Sequence, residues 1–269
     1  MRFAAEVIFV SALLAKGAHG TAWLVGVFQT VKHHVVINTV MPNANAAAPF
    51  EQQDSFATAS VQRAQLATKS GAFAAEITPV TVKGRAGDTV VSIDEGPGKI
   101  KLDKIPSLKA AFKKDGTITA ASSSSINDGA AAMVLMRAST TARLGLTPLA
   151  KIISHATHAQ EPNWFATAPL GAVNKALAKA GWAAKDVDLW EINEAFAVVP
   201  MALMHELGLS HTQVNVNGGA CALGHPIGAS GARIMVTLMY ALQARGLKKG
   251  VATLCIGGGE GTAVALEIC

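Results

Sequence analysis

Thiols are scarce in this chain: of 269 residues only three are cysteine, at positions 221, 255 and 269, so the first 220 residues contain none. An odd, small number without framework spacing argues against a disulfide-stapled secreted domain, and no spacing among them suits zinc, so no metal is expected. Reduced thiols in a cytoplasmic setting are the reading. Charge is sparse too, at 15% of residues, with 23 Lys and Arg against 18 Asp and Glu for a formal net charge of +5. These cations are scattered, with short pairs at Lys113-Lys114 and Lys248-Lys249. No basic stripe interleaved with aromatics appears, which argues against a nucleic-acid partner while leaving room for a small anionic ligand. Long apolar runs are missing as well. The N-terminal runs 7–15 and 21–28 are broken by Lys16, Gly17, His19 and Gly20, and neither approaches the ~20 residues of a membrane span, so no membrane partner is expected. Arg2 ahead of the first run gives a faint signal-peptide pattern, but Glu6 adjoins the run and no clear cleavage site follows. One or two buried strands or a short helix are expected there, followed by a loop at 42–49.

What the chain has instead is apolar bulk and glycine. Half its residues are hydrophobic and 25 are glycine, the balance of a compact globular protein with close backbone contacts. Residues 51–70 carry Phe56, Ala59, Ala64 and Ala67 at helical spacing, closed by Gly71, and predict a helix. Residues 77–82 and 89–93 alternate as strands about a turn, and 107–114 predict a short helix ended by Asp115-Gly116. Four consecutive serines, Ser122 to Ser125, then Asn127-Asp128-Gly129, make a polar loop that runs at once into a strand of small apolar residues. Beyond it come a helix at 140–146, a strand at 149–155 and an amphipathic helix at 169–181. That last helix opens on Pro169, closes on Gly181 and turns Leu170, Val173, Leu177 and Ala180 inward. A strand at 187–192, a helix at 194–208, a strand at 214–216, a helix at 229–246 and two strands within 250–268 complete an α/β alternation.

Three segments of the second half place a polar residue where a strand gives way to loop or helix, and in α/β sheets such strand ends gather at one crevice. His225 lies in NVNGGACALGHPIGASGAR, residues 215–233, among five glycines. Glycine is used where backbone approaches something closely or takes positive φ. A histidine there can act as general base or as hydrogen-bond donor to an oxyanion. A lone histidine is ordinarily a satisfied core or surface residue; the glycine setting reverses that reading. Cys255 can be a small buried hydrophobe, yet it precedes Ile256-Gly257-Gly258-Gly259, whose amides can stabilise an anion. Asn193 can cap a helix beginning at Glu194 or hold a water or a carbonyl oxygen, and both stay open. Ser122 to Ser125 is either a plain polar loop or a set of hydroxyls and amides for a polar ligand tail. Cys221 and Cys269 lack such settings and read as packing and tail residues.

NEAFA at 193–197, NGGACALGHPIGASGAR at 217–233 and LCIGGGEG at 254–261 together resemble the three C-terminal signatures of the thiolases, the acetyl-CoA acetyltransferases. INDGAAA at 126–132 and QDSFATASVQRA at 53–64 are similar to the same family, so the likeness covers residues 49–269. The wording is closest to bacterial acetoacetyl-CoA thiolases. The resemblance implies an α/β, thiolase-like layered αβαβα fold with the C-terminal half complete and the N-terminal half incomplete. Residues 147–269 are expected to form the C-terminal domain and 49–146 a remnant of the N-terminal domain with its CoA-contacting loop; 1–48 stand as an atypical segment without family likeness. It also implies an acyltransferase interconverting acetoacetyl-CoA plus CoA and two acetyl-CoA. The CoA thioester is then substrate, no cofactor is permanently bound, and the family assembles as homo-oligomers, usually tetramers. In that pattern His225 activates a nucleophilic thiolate and, with a water held by Asn193, forms one oxyanion hole. Cys255 protonates the leaving acetyl-CoA carbanion, the Gly257 amide serves the second oxyanion hole, Ser124 meets the pantetheine arm and Lys109 falls where relatives carry an arginine near the nucleotide.

The family's nucleophile lies on a helix of the first half, within a Cys-Ala-Ser-Gly-like motif, and no such motif stands here. A truncated reading frame is the expected explanation, ahead of a degenerate pseudo-enzyme or a fragment that needs another chain. The alternative function is a non-catalytic CoA-binding or subunit-interaction module derived from a thiolase. Exposed apolar surface, marginal stability and association of copies are expected of such a chain.

Overall fold

The computed structural model describes residues 23–28 and 50–269. The expectations for 7–15 and for the loop at 42–49 lie outside them. In chain order the elements are β1 (Trp23–Phe28), α1 (Phe50–Ser70), β2 (Val80–Val82), β3 (Thr89–Val91), α2 (Gly96–Lys99), β4 (Ala130–Leu135) and α3 (Ala138–Arg143). Then follow β5 (Ala150–Ala159), α4 (Ala168–Ala180), β6 (Leu189–Ile192), α5 (Val198–Leu207), α6 (Ala220–Leu223), α7 (Ser230–Ala244), β7 (Lys249–Ile256) and β8 (Glu260–Ile268).

The second half is built on one sheet in the order β5-β8-β7-β6. β8 runs antiparallel to β5 and β7, while β6 lies parallel to β7 with Ile192 opposite Thr253. Side chains alternate across a strand with period two, and the packing follows that period. Trp190, Ile192, Val251, Ala263 and Ala265 pack with Val173, Ala176 and Leu177 of α4. Leu189, Ala252 and Leu266 pack with Ile234, Leu238 and Leu242 of α7. A sheet covered on both faces is why all four residues of β6 are buried, an acid included. α4 starts with proline in its first turn and stops at Gly181, whose φ of 68° takes the left-handed conformation that frees it from the helix.

The first half contributes α1, which buries Gln53, Ala57, Ser60, Val61 and Ala64 and lies against α6. β4 pairs antiparallel with β1, so the run at 21–28 does contain a strand. β2 and β3 form a two-stranded ribbon of their own.

Three expected elements differ. The helix expected at 107–114 is replaced by a 3-10 helix at Leu102–Ser107, after which the Ala111 N–H donates to Ile118 O and a hairpin turns through Gly116. The helix expected from Glu194 begins at Val198 instead. Residues 194–197 lie against the serine loop: Ser123 bridges Phe196, the Ser124 N–H donates to Ala195 O, and the Ala197 N–H donates to Ser122 O. The strand at 214–216 is reduced to one parallel bridge between Val214 and Trp190. Its next residue, Asn215, turns to a φ of 47° and substitutes its side chain for backbone: Oδ1 accepts from Ile192 N and Nδ2 donates to Ile192 O, both at 2.8 Å.

Candidate active site

The sheet register brings two strand ends together. Asn193 follows β6 with its N–H on Thr253 O, and Cys255, next to last in β7, lies two residues beyond Thr253 on the neighbouring strand. Asn193 is therefore not a helix cap; its buried side chain is released toward the crevice, and its Nδ2 lies 3.2 Å from His225 Nε2.

His225 arrives on the glycine loop. Gly224, at φ 86°, has no room for a Cβ, which would run into the Asn127 side chain. The His225 N–H then donates to Ser125 O at 2.9 Å, tying the loop to the four-serine segment. Ser124, through its N–H and its Oγ, donates to Ala195 O, so both segments are anchored on the same stretch after β6. The other imidazole nitrogen, Nδ1, lies 2.5 Å from Ser230 Oγ at the start of α7.

Behind this surface sits Glu194, fully buried. Its carboxylate accepts from Ser60 Oγ at 2.7 Å, Asn215 Nδ2 at 2.8 Å and Cys221 N at 3.0 Å. Gly219 packs so closely on it that a Cβ would collide with the carboxyl group. Neither Glu194 nor Ser230 was singled out from the sequence. An acid set in an apolar run was the available signal for the first; nothing local marks the second.

Electrostatics sort the titratable groups. Burial, followed by the charge of Arg233, holds His225 down at about 4, so its imidazole is neutral at pH 7 and free to accept a proton. Burial pushes the Cys255 thiol up to about 12, leaving a neutral group able to donate one. Cys221 is raised well above its ordinary value by burial and the nearby Glu194, and its Sγ faces Glu194 O at 3.9 Å. An apolar wall adjoins Cys255: Phe165 and Phe196 share its core cluster, with their rings edge to face at 6.2 Å. Phe112, half exposed, continues the wall outward at 5.9 Å from Phe196.

Of the residues expected to act together, Asn193 and His225 are in direct contact, Ser124 is tied to Ala195 two residues beyond Asn193, and Cys255 stands near the adjoining strand end. Gly257 is exposed in the turn between β7 and β8, with open space on its side-chain side. Lys109 is exposed two residues after the Leu102–Ser107 helix, and among the described residues no hydrogen bond or ion pair links it to the others. Among the described residues no group of three His, Cys, Asp or Glu could hold a metal ion, and no helix is long and apolar enough to cross a membrane. The arrangement supplies a neutral base, a neutral acid, exposed backbone amides and an apolar wall, the parts needed to stabilise an oxyanion and move protons about a carbonyl.

Family profiles described as "Thiolase, N-terminal domain" and "Thiolase, C-terminal domain" match residues 13–139 and 146–268. The first match begins inside the segment 1–48. An acetyl-CoA acetyltransferase of Paracoccus denitrificans is 52% identical over 217 residues, which is 80% of this chain and 56% of that protein. A probable acetyl-CoA acetyltransferase of Dictyostelium discoideum is 53% identical over 218 residues, 81% of this chain and 53% of its own length. The chain thus spans just over half the length of these relatives. Among solved structures, the Bacillus anthracis acetyl-CoA acetyltransferase superposes with a TM-score of 0.83 at 41% identity, covering 88% of this chain and 61% of that one. A thiolase from Ascaris suum in complex with coenzyme A superposes with a TM-score of 0.77 at 44% identity, covering 84% and 58%.

Proposed function

We propose a thiolase-type acyl transfer for this chain, which belongs to the thiolase family and has the thiolase fold. The reaction is the interconversion of acetoacetyl-CoA plus CoA with two acetyl-CoA. One observation carries the reading: His225 bonded to Asn193 at the end of β6, with Cys255, a thiol that burial keeps protonated, near the end of the neighbouring strand β7.

In the cleavage direction His225 Nε2 takes the proton of an attacking thiol, whose sulfur adds to the 3-keto carbon of acetoacetyl-CoA. The carbon–carbon bond breaks, and the electron pair left on the departing acetyl-CoA is quenched by the proton of Cys255. The CoA thiol then collects the acetyl group and returns a proton to the site. Asn193 with a water, together with His225, holds the first oxyanion; the Gly257 amide serves the second. Ser124 meets the pantetheine arm and Lys109 the nucleotide. Residues 49–146 and 147–269 act as the two domains, in a cytoplasmic homo-oligomer.

The attacking thiol is the open part of the scheme. Cys221 is buried, high in pKa and turned to Glu194 O, Cys255 is the acid, and no cysteine precedes 221. A second reading, a non-catalytic CoA-binding module derived from a thiolase, follows from that observation. Mixing purified chain with acetoacetyl-CoA and CoA, and following loss of the enolate absorbance, separates the two. Turnover abolished by His225→Ala establishes catalysis. No turnover alongside calorimetric CoA binding favours the module, and absence of both overturns both.

A further inference from the structure

The contacts around His225 bear on which of its nitrogens carries the proton. Asn193 Nδ2 faces Nε2 at 3.2 Å. An amide NH2 only donates, so Nε2 must present its lone pair. A neutral imidazole with Nε2 bare carries its proton on Nδ1. That nitrogen faces Ser230 Oγ at 2.5 Å, and the hydroxyl, having one proton and two lone pairs, can accept it because its own proton has somewhere to go. Pro226 O lies 3.1 Å from Ser230 Oγ and already gathers the amides of Ala229 and Ser230. Donation therefore runs in one direction, from Asn193 Nδ2–H to Nε2, from Nδ1–H to Ser230 Oγ, and from the hydroxyl to Pro226 O. Reversing it would set an Nε2–H against an N–H. Asn193 and Ser230 are each 1% exposed, so solvent does not compete for either contact.

We propose that Ser230 is a positioning residue that fixes the resting His225 in the Nδ1–H tautomer, so that Nε2, facing Asn193, presents its lone pair. The Ser230 hydroxyl sits at the first position of α7, where the helix holds it still relative to the Pro226 turn. It touches no reacting atom; it acts through the imidazole. The tautomer also leaves Asn193 Oδ1, buried and without a partner among the described residues, as the acceptor open to a donor in the crevice. The proposal deepens the acyl-transfer reading yet stands on the free protein's geometry.

The test uses the whole chain with 15N-labelled histidine and long-range proton–nitrogen correlation at pH 7, with His225→Gln identifying the resonances. His225 is expected to show a pyrrole-type signal at Nδ1 and a pyridine-type signal at Nε2. In Ser230→Ala the ratio of Nδ1–H to Nε2–H is expected to fall about tenfold, the scale of one lost hydrogen bond, and Ser230→Thr is expected to restore it. An Nε2–H tautomer in the unsubstituted chain overturns the proposal without recourse to any variant. An unchanged ratio in a folded Ser230→Ala chain overturns it too. No turnover is read, so a wrong tautomer leaves acyl transfer standing, and absent turnover leaves the tautomer standing.

Discussion

Single side chains set the terms of this site, and two acids behind it behave differently. Glu194 accepts three hydrogen bonds from three separate segments. In Glu194→Gln an NH2 group replaces one oxygen and faces donors, which is expected to cost about 2–4 kcal/mol, read as a lower urea midpoint; an unchanged midpoint would mean that the pocket rearranges freely. Glu191, on the opposite face of the sheet from Trp190, has Arg233 at 3.5 Å. Burial nevertheless outweighs that cation and raises it to about 8. Glu76, tied to Thr237, is raised to about 7 by burial. Carboxyls raised above their ordinary 4.5 contribute stability that is fully present below that pH and lost as pH rises through 7 and 8. His225 and His211, held at about 4 against an ordinary 6.5, contribute in the opposite sense, losing stability as pH falls from 6.5 toward 4. The calorimetric melting temperature is therefore expected to decline between pH 6.5 and 8, and to decline less in Glu191→Gln. A flat profile across that range would contradict the assignment.

Among the elements, the loop carrying His225 is the most constrained. Gly224→Ala meets both a positive φ and the Asn127 side chain, so a loss of about 1–3 kcal/mol is expected, together with a displaced His225 nitrogen signal. A variant with native melting and native spectrum would show that the loop tolerates a Cβ. Much of this organisation was legible in the sequence. The long apolar periods point to α1, α4 and α7, and the glycine loop, the Asn193 strand end and Cys255 near the end of β7 mark the candidate site. What could not be read is where non-local contacts override local pattern. Residues 194–197 have helical periodicity, yet the backbone groups of Ala195 and Ala197 are claimed by Ser124 and Ser122 from 71 and 75 positions away (195 − 124 and 197 − 122). Asn215 likewise ends a strand by bonding Ile192, a partner that no window of neighbours contains. Lys109 is placed by motif alone, and among the described residues no hydrogen bond or ion pair links it to Asn193 or His225.

At the scale of the molecule, the β2–β3 ribbon is among the described parts that face outward with apolar side chains. Val80, Val82, Val90 and Val91 are each about half exposed or more, and Ile93 beside them is 65% exposed. Association of copies is expected, as a concentration-dependent mass in light scattering, and Val90→Lys with Ile93→Lys is expected to reduce it. A monomeric mass at every concentration would count against this. The bond between Ser60 and Glu194 has a further consequence, in time rather than energy. Its partners stand 134 residues apart, and Ser60 also receives the Gly219 amide from 159 residues away. Contacts of such separation close late, after local helices have formed. The pocket is thus among the last parts of the chain to take shape, and a refolding experiment that follows the His225 environment should lag one that follows helix content.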